Sequence, residues 1–515
     1  MPSRQQIAQA AGIAAAAAAV LAILSGVGPG QVVGGGQGDF ASIAWGLWRA
    51  AEALPGLPSV QTDLIFAPRG ASLVLADLPE ALLLAPLTAL LGPVFTFNLL
   101  QLAHPALAIA TMFLLLRCEG RSAAAAAAGG AMFGLSPVLL TGLHDGNPDV
   151  TPLYLLPLVV LAVRQIPTSG RAAILAGVLI GLAPWFNPYV GAMAAVTAAA
   201  MAPHKHPARL VLAATIALLL AAAYAALVLS SFSAADAMVH KPGGPAAAVP
   251  PGVAHLRGFF LPQLEPQADG WSLHGWYLGG VGLIASFFAG IRPRRRYVLL
   301  IIAGLILSMG PILQIDTQTA LAPGGWRVAL PGALLEDLPG LSSLKIRYRF
   351  AALIALGLAP LAARGIDRLP RGQGVIAGLV AAELLLLGAP LLESGPRPSE
   401  AVCELLAEQP VAPVISLPSG REEVHLLLQT CHGFPIAQGI NQPYPRPLRQ
   451  SVQGKGARTF DALASHGFRY LVLHHELAED DSSARQLARL QQHAEDQGRV
   501  LGATEQTVLV VLGSR

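Results

Sequence analysis

The sequence predicts an α-helical polytopic membrane protein over residues 1–394, followed by a small soluble α/β domain over 395–515. Three observations carry that prediction. Hydrophobic residues make up 54% of the chain and charged ones only 12%, against roughly 25% charged in ordinary soluble domains. A bilayer must therefore solvate much of the surface. The apolar segments are separated by connections that alternate between short basic and long mixed ones. After Glu393 the composition turns polar and strand-like segments begin to alternate with helical ones.

The chain opens Met-Pro-Ser-Arg4 and runs into an apolar stretch from Ile7 to Val27. With no small-x-small cleavage site after it, this reads as an uncleaved first span with Arg4 cytoplasmic. Further apolar segments lie at 94–116, 122–142, 151–163, 172–184, 190–202, 210–231, 278–291, 297–314, 350–363 and 374–394. They are built from Ala, Leu, Val and Gly rather than aromatics, which suits close helix packing in lipid. Several are short, which predicts broken or partly buried helices. The pair within 172–202 is interrupted by Pro184-Trp-Phe-Asn-Pro188-Tyr189, and 81–91, with Pro86 inside it, reads as re-entrant or interfacial.

Sidedness follows from charge. The short connections hold Arg117/Arg121, Arg164/Arg171, Lys205/Arg209, Arg292/Arg294/Arg295/Arg296 and Arg364/Arg368/Arg371. Lysine and arginine are retained on the cytoplasmic side, so these connections are inside, and the loops 28–80, 232–277 and 315–349 are outside. About eleven spans satisfy the alternation. The protein is then a multi-pass component of the inner (plasma) membrane, N-terminus cytoplasmic and C-terminal domain extracytoplasmic.

In the C-terminal domain, Val411–Leu417, Phe468–Leu473 and Thr507–Leu512 read as strands, and 458–466 and 480–497 as helices. Outside the cell, Cys403 and Cys431 meet conditions in which they either pair or stay free thiols. The three cysteines have no metal-ligand spacing. A net charge of +3, without a basic run interleaved with aromatics, argues against nucleic acid as a partner. No Gly-Lys-Ser/Thr phosphate loop and no His-Glu-x-x-His appear, which argues against an ATP motor or a zinc protease.

A few polar residues stand out against this apolar background. Asp39 follows a glycine run just beyond the first span, at the head of an amphipathic stretch, Ser42–Leu54, whose Trp45 and Trp48 suit a membrane interface. It either caps that helix or acts as a carboxylate near the membrane surface. Asp63 lies further along the same loop, where Asp77 and Glu80 read as turn and cap residues. His144, beside Asp145 and Asp149, belongs either to a cation site or to a polar turn. Lys345, Arg347 and Arg349 alternate with apolar residues on the outer side, where the charge rule disfavours them. They anchor lipid headgroups or hold a phosphate.

These residues carry a family resemblance. Gly38-Asp39 with Ala44-Trp45-Gly-Leu-Trp48, Thr62-Asp63-Leu-Ile-Phe-Ala-Pro68-Arg-Gly70, Gly142-Leu-His144-Asp-Gly-Asn147 and Leu338-Pro339 through Lys345-Ile-Arg-Tyr-Arg349-Phe350 resemble bacterial multi-pass membrane proteins of the GT-C glycosyltransferase type. Ile415-Ser-Leu-Pro418 and Gly467-Phe-Arg-Tyr-Leu-Val-Leu473 are similar to the soluble tail that many members carry. The resemblance implies a GT-C-like membrane domain and transfer of a hexosyl or pentosyl sugar from a polyprenyl-phosphate donor to an acceptor at the outer face. It makes Asp39 the general base and gives the donor phosphate to Arg349 and Lys345, with Arg347 beside them. Asp63 and His144 are then candidates for acceptor binding or for a divalent cation. The chain departs from the family in two places: Arg347 stands where similar sequences often have proline, and Asp39 stands alone where some members have an acidic pair. Two other classes compete, a non-catalytic scaffold of the cell envelope and a transporter of lipid-linked saccharide. Transport has less support because no internal repeat is evident and the ionisable residues cluster at span ends.

Overall fold

In a computed structural model of the full chain, the described residues are 2–28, 31–34, 39–72, 77–144, 146, 151–203, 205–234, 253–262, 276–289, 295–315, 328–330, 333, 344, 346–388, 394–396, 400–418, 422–439, 448, 451–452, 457–478 and 480–512. The helices in chain order are α1 Arg4–Ser25, α2 Phe40–Glu52, α3 Leu78–Leu91, α4 Pro93–Cys118, α5 Ala123–Gly134, α6 Pro137–His144, α7 Leu155–Gln165, α8 Gly170–Phe186, α9 Pro188–Met201, α10 Pro207–Ala234, α11 Leu256–Phe260, α12 Gly280–Phe287, α13 Arg295–Ser308, α14 Ala351–Asp367, α15 Gln373–Glu383, α16 Ala401–Ala407, α17 Glu422–His432, α18 Ala457–Ser465 and α19 Asp481–Asp496. The strands are β1 Gln31–Val33, β2 Gln61–Thr62, β3 Ala71–Ser72, β4 Ser394–Pro396, β5 Val414–Leu417, β6 Tyr470–His474, β7 Val500–Ala503 and β8 Thr507–Val511. The chain forms two compact units, the first of Met1–Gln37, Asn98–Ala225 and Pro242–Gly395, the second of Gly38–Phe97, Ala226–Lys241 and Pro396–Arg515.

The first unit is helical, and the predicted apolar segments each became a helix. Among the described residues, four stretches are long and apolar enough to cross a membrane: Arg4–Ser25, Pro93–Cys118, Pro207–Ser230 and Arg347–Asp367. The pair α5–α6, bent by 46°, makes a fifth if taken as one span. The expectation of about eleven spans, several of them broken or partly buried, is thus not confirmed in number, and proline explains much of the shortening. Pro137 opens α6 two residues after α5 ends, and Pro188 opens α9 directly after α8. A proline suits the first turn of a helix but cannot sit unkinked inside one. At the α8–α9 break, Asn187 adopts an extended backbone and its side chain accepts from the Tyr189 amide at 2.8 Å. The uncertain stretch 172–202 is therefore two helices with a capped hinge.

Helix α14 is the centre of this unit. Every residue from Ala351 to Ala363 is buried, and α5, α12 and α13 pack on it. Lipid gives helices no hydrophobic reason to associate, so contact depends on small residues that admit close approach. At the α13–α14 crossing a Cβ on Gly304 would lie 2.9 Å from the Ile354 amide nitrogen, and one on Gly357 would lie 2.7 Å from the Tyr297 carbonyl. A partly buried carboxylate is matched in turn. Glu383 on α15 accepts from the Gly280 and Val281 amides at 2.7 and 3.0 Å and from the Tyr277 hydroxyl at 2.6 Å. A negative charge thereby meets the amides that the start of α12 leaves unpaired.

The basic connections gather at one end of the unit. Arg121 bonds Asp367 at 3.2 Å, and Arg164 pairs with Glu119. Arg209, Arg296 and Arg368 donate to the carbonyls of Pro167, Met201 and Phe288. The end of α6, the start of α9, the end of α13 and the start of α14 accordingly lie toward the opposite end.

The second unit contains a four-stranded sheet in the order β5-β6-β8-β7. Strand β6 pairs parallel to β5 and antiparallel to β8, with Ile415 opposite Leu471 and Val510 opposite Leu471 on the other side. All five residues of β6 are buried. Strands β5, β6 and β8 and helices α18 and α19 match the predicted segments; β7, α16 and α17 are additional. Residues 64–67 run beside 436–438. Ile436 N–H donates to the Leu64 carbonyl at 2.8 Å, Phe66 N–H to Gln438 at 3.0 Å and Ala67 N–H to Ile436 at 2.9 Å. Trp45 of α2 is fully buried, and its indole N–H donates to Gln429 Oε1 at 2.7 Å. This corrects the expectation that Trp45 sits at a membrane interface: it is a core anchor. Cys403 and Cys431 form a disulfide with Cα atoms 5.9 Å apart.

Two outcomes are expected. Gly357→Val forces α13 away from α14 and destabilises the helical unit by about 1–3 kcal/mol, the usual cost of overpacking, readable as a lowered melting temperature in detergent. The second concerns pH. Burial, with His474 nearby, pushes the His432 imidazole from 6.5 down to about 3. Below pH 6.5 the unfolded chain then takes up a proton that the folded chain refuses. That contribution to stability is present above pH 6.5 and is lost as pH falls toward 3. Protease resistance of the C-terminal unit should fall across that window, and His432→Asn should flatten the fall.

Candidate functional site

In the first unit, the end away from the basic connections collects polar and aromatic side chains. The chain enters α14 through a short 3-10 turn, Arg347–Phe350. Arg347 is 7% exposed and Arg349 half-buried. The Arg349 guanidinium stacks on the Tyr189 ring, 4.9 Å from its centroid, a contact that orients the cation. The same Tyr189 hydroxyl accepts from the Ile346 amide at 2.7 Å. Thus α9 holds the arginine turn at two points. Tyr348 lies against Trp276, which in turn meets His255 edge to face with centroids 4.8 Å apart. Lys345 lies outside the described residues.

A second polar group surrounds the end of α6. The Asn98 side chain accepts from Val33 N–H at 3.0 Å and donates to the Gln31 carbonyl at 2.9 Å. It thereby fixes the strand that follows the first span. Gly34 has a φ of +84°, and a Cβ there would come within 2.6 Å of the Leu143 carbonyl; only glycine fits that approach. Gln101 donates to the same carbonyl at 3.3 Å, and His104 contacts the Thr151 hydroxyl at 2.5 Å. Gln101, His104 and Thr151 are fully buried. His144, half-buried, closes α6 at this point. Asp145, Asn147 and Asp149, its neighbours in the predicted cation motif, lie outside the described residues. Among the described residues, no group of three or more His, Cys, Asp or Glu could hold a metal ion.

Asp39 and Asp63 belong to the second unit. Asp39 occupies the N-cap position of α2, yet its side chain makes no capping hydrogen bond. Its backbone carbonyl accepts from Ser42 Oγ at 2.7 Å. The side chain is therefore not used as a cap. Phe40 next to it is buried edge to face on Phe97, with centroids 4.7 Å apart, so the start of α2 is fixed. Asp63 is exposed. Asp77 is 2% exposed, at a left-handed φ of 50°, and again makes no side-chain cap; Glu80 is 5% exposed. Two carboxylates read as ordinary turn and cap residues are therefore buried.

Sequence reasoning overlooked Tyr189, Asn98, Gln101 and His104 as constituents of this region. Their signal was present, since ionisable or amide residues inside an apolar segment are expensive in lipid and call for a partner.

No family model matches the chain, and no curated protein is similar to it in sequence. Solved structures are similar in fold. A mutant of the arabinofuranosyltransferase AftD from Mycobacteria matches 98% of this chain and 41% of its own with a TM-score of 0.62 at 17% identity. Another AftD structure gives a TM-score of 0.56, also at 17% identity, over 98% of this chain and 40% of that one. The oligosaccharyltransferase of Archaeoglobus fulgidus, in its apo form, matches 91% of this chain and 70% of its own with a TM-score of 0.50 at 12% identity. The chain spans about two fifths of the length of AftD. The chain shares its fold with these two transferases.

The Tyr189 contacts predict a local effect. Tyr189→Ala removes both the stacking partner of Arg349 and the acceptor of the Ile346 amide, a loss of about 1–2 kcal/mol. Trypsin should then cut after Arg347 or Arg349 under conditions where the wild-type turn resists, and Tyr189→Phe should fall between the two.

Proposed function

We propose that this chain is a membrane glycosyltransferase that moves a sugar from a polyprenyl-phosphate donor to an acceptor at the outer face of the membrane. The observation that carries this reading is the GT-C fold extending over nearly the whole chain. Fold alone does not fix chemistry, so residue types must supply the rest. An acceptor hydroxyl attacking an anomeric carbon needs a base. Asp39, whose side chain does not cap its own helix, takes that proton. As the glycosidic C–O bond to phosphate breaks, negative charge builds on the leaving oxygen, and fixed cations stabilise it. Arg349, oriented by its stacking on Tyr189, is the first of these, with Arg347 and Lys345 in the same segment. Asp63 and His144 are assigned to acceptor binding. Whether the sugar is a hexose or a pentose is left to the assay.

Topology enters the same proposal. The gathering of arginine-rich connections at one end of the helical unit supports placing that end in the cytoplasm. The Cys403–Cys431 disulfide supports an oxidising compartment for the C-terminal unit. In this reading the chain crosses the inner membrane about eleven times, with short helices such as α7 and α9 completing their crossings through flanking non-helical segments.

The test is transfer of labelled sugar from polyprenyl-phosphate donors in proteoliposomes. Asp39→Asn should lower turnover by about 100-fold or more, as loss of a general base does, with donor binding retained. Arg349→Ala should weaken donor binding and turnover together. Wild-type protein that transfers no sugar from any such donor, or Asp39→Asn at full activity, defeats the reading.

A further inference from the structure

The basic end of the helical unit contains a cavity of about 630 Å³ that the proposed reaction does not use. Its cationic side is formed by Arg164 at the end of α7 and by Arg295 and Arg296 at the start of α13. Its apolar side is formed by Ala199 and Ala200 of α9 and Leu299 of α13. The charges are unbalanced. Glu119 is buried and accepts from both Arg164 and the Tyr297 hydroxyl, the latter at 2.6 Å. It therefore offsets one guanidinium. Arg296 is held by a neutral acceptor, the Met201 carbonyl, at 3.1 Å. Arg295 is exposed. Two positive charges thus face a cavity whose other wall continues into apolar helix surface.

We propose that this cavity binds the phosphate of an anionic phospholipid, with the start of an acyl chain along Ala199, Ala200 and Leu299. The volume lies within the range of small-ligand sites, about 300–1,000 Å³. It suits a phosphodiester headgroup and the first chain carbons. Guanidinium groups match phosphate oxygens in pairs and lose less hydration than ammonium groups do. The first amides of α13 add a favourable dipole for an anion. A free phosphate would satisfy the arginines and leave the apolar wall uncovered, which is why the lipid is the better fit. Basic pockets between membrane helices are a general route to headgroup recognition. The inference depends only on the geometry within this unit and stands whether or not the chain transfers a sugar.

The experiment uses full-length protein in neutral detergent, titrated with phosphatidylglycerol, phosphatidylcholine or inorganic phosphate, and followed by native mass spectrometry and thermal shift. Wild-type protein should retain phosphatidylglycerol in preference to phosphatidylcholine and gain thermal stability from it. Arg295→Gln, an exposed position with no fold role, should lower the apparent affinity about fivefold, the loss of one arginine attraction near an anionic headgroup. Ala199→Phe should block the apolar wall and reduce retention while leaving the charges in place. Equal retention of the two lipids overturns the proposal. So does inorganic phosphate stabilising the protein as much as phosphatidylglycerol does, which would mark a free-phosphate site. Undiminished binding by Ala199→Phe would place the lipid elsewhere and also overturns it.

Discussion

The burial of α14 is the constraint on which the helical unit rests. A helix whose every residue from Ala351 to Ala363 is buried has no lipid-facing side, so all its neighbours must approach closely. Gly304 and Gly357 make that approach possible where α13 crosses. The consequence reaches the candidate site directly. Arg347 and Arg349 lie in the turn that leads into α14, and a fixed helix gives that turn a fixed origin. Tyr189 then supplies a second attachment through its ring and its hydroxyl. A cation meant to meet developing negative charge is most effective when it is already in place, because no reorganisation is then required.

Charge within the unit follows the same economy. Glu383 meets helix-start amides and Glu119 meets an arginine and a tyrosine hydroxyl. Removing one partner of such a buried arrangement leaves an uncompensated charge, which costs more than the pair contributes. These carboxylates are therefore structural members of the bundle. In the second unit the corresponding role falls to neutral groups. Gln429 accepts from the Trp45 indole and donates to the Leu64 and Phe434 carbonyls. One amide side chain thereby joins α2, the segment after β2 and α17.

How much of this was legible in the sequence differs by element. Apolar segments and the polar, alternating C-terminal region were readable because burial in lipid and burial on one face of a sheet leave distinct periodicities. Strands β5, β6 and β8 appeared where expected for that reason. The union of residues 64–67 with 436–438 left no such trace, since it is made by backbone hydrogen bonds between segments some 370 residues apart. Trp45 misled for a related reason: an amphipathic helix bearing tryptophan looks alike whether it meets lipid headgroups or a protein core. The candidate residues themselves were visible as charges out of place. Their supports, Tyr189 under Arg349 and Asn98 beside the first loop, carried a weaker signal, because a tyrosine or asparagine in the first turns of a helix has many uses.

The most direct test of the transferase account is a structure of the full chain in lipid nanodiscs with polyprenyl phosphate bound. The account predicts the phosphate against the Arg349 guanidinium. A phosphate bound elsewhere on the protein, with Arg349 making no contact to it, would contradict the account.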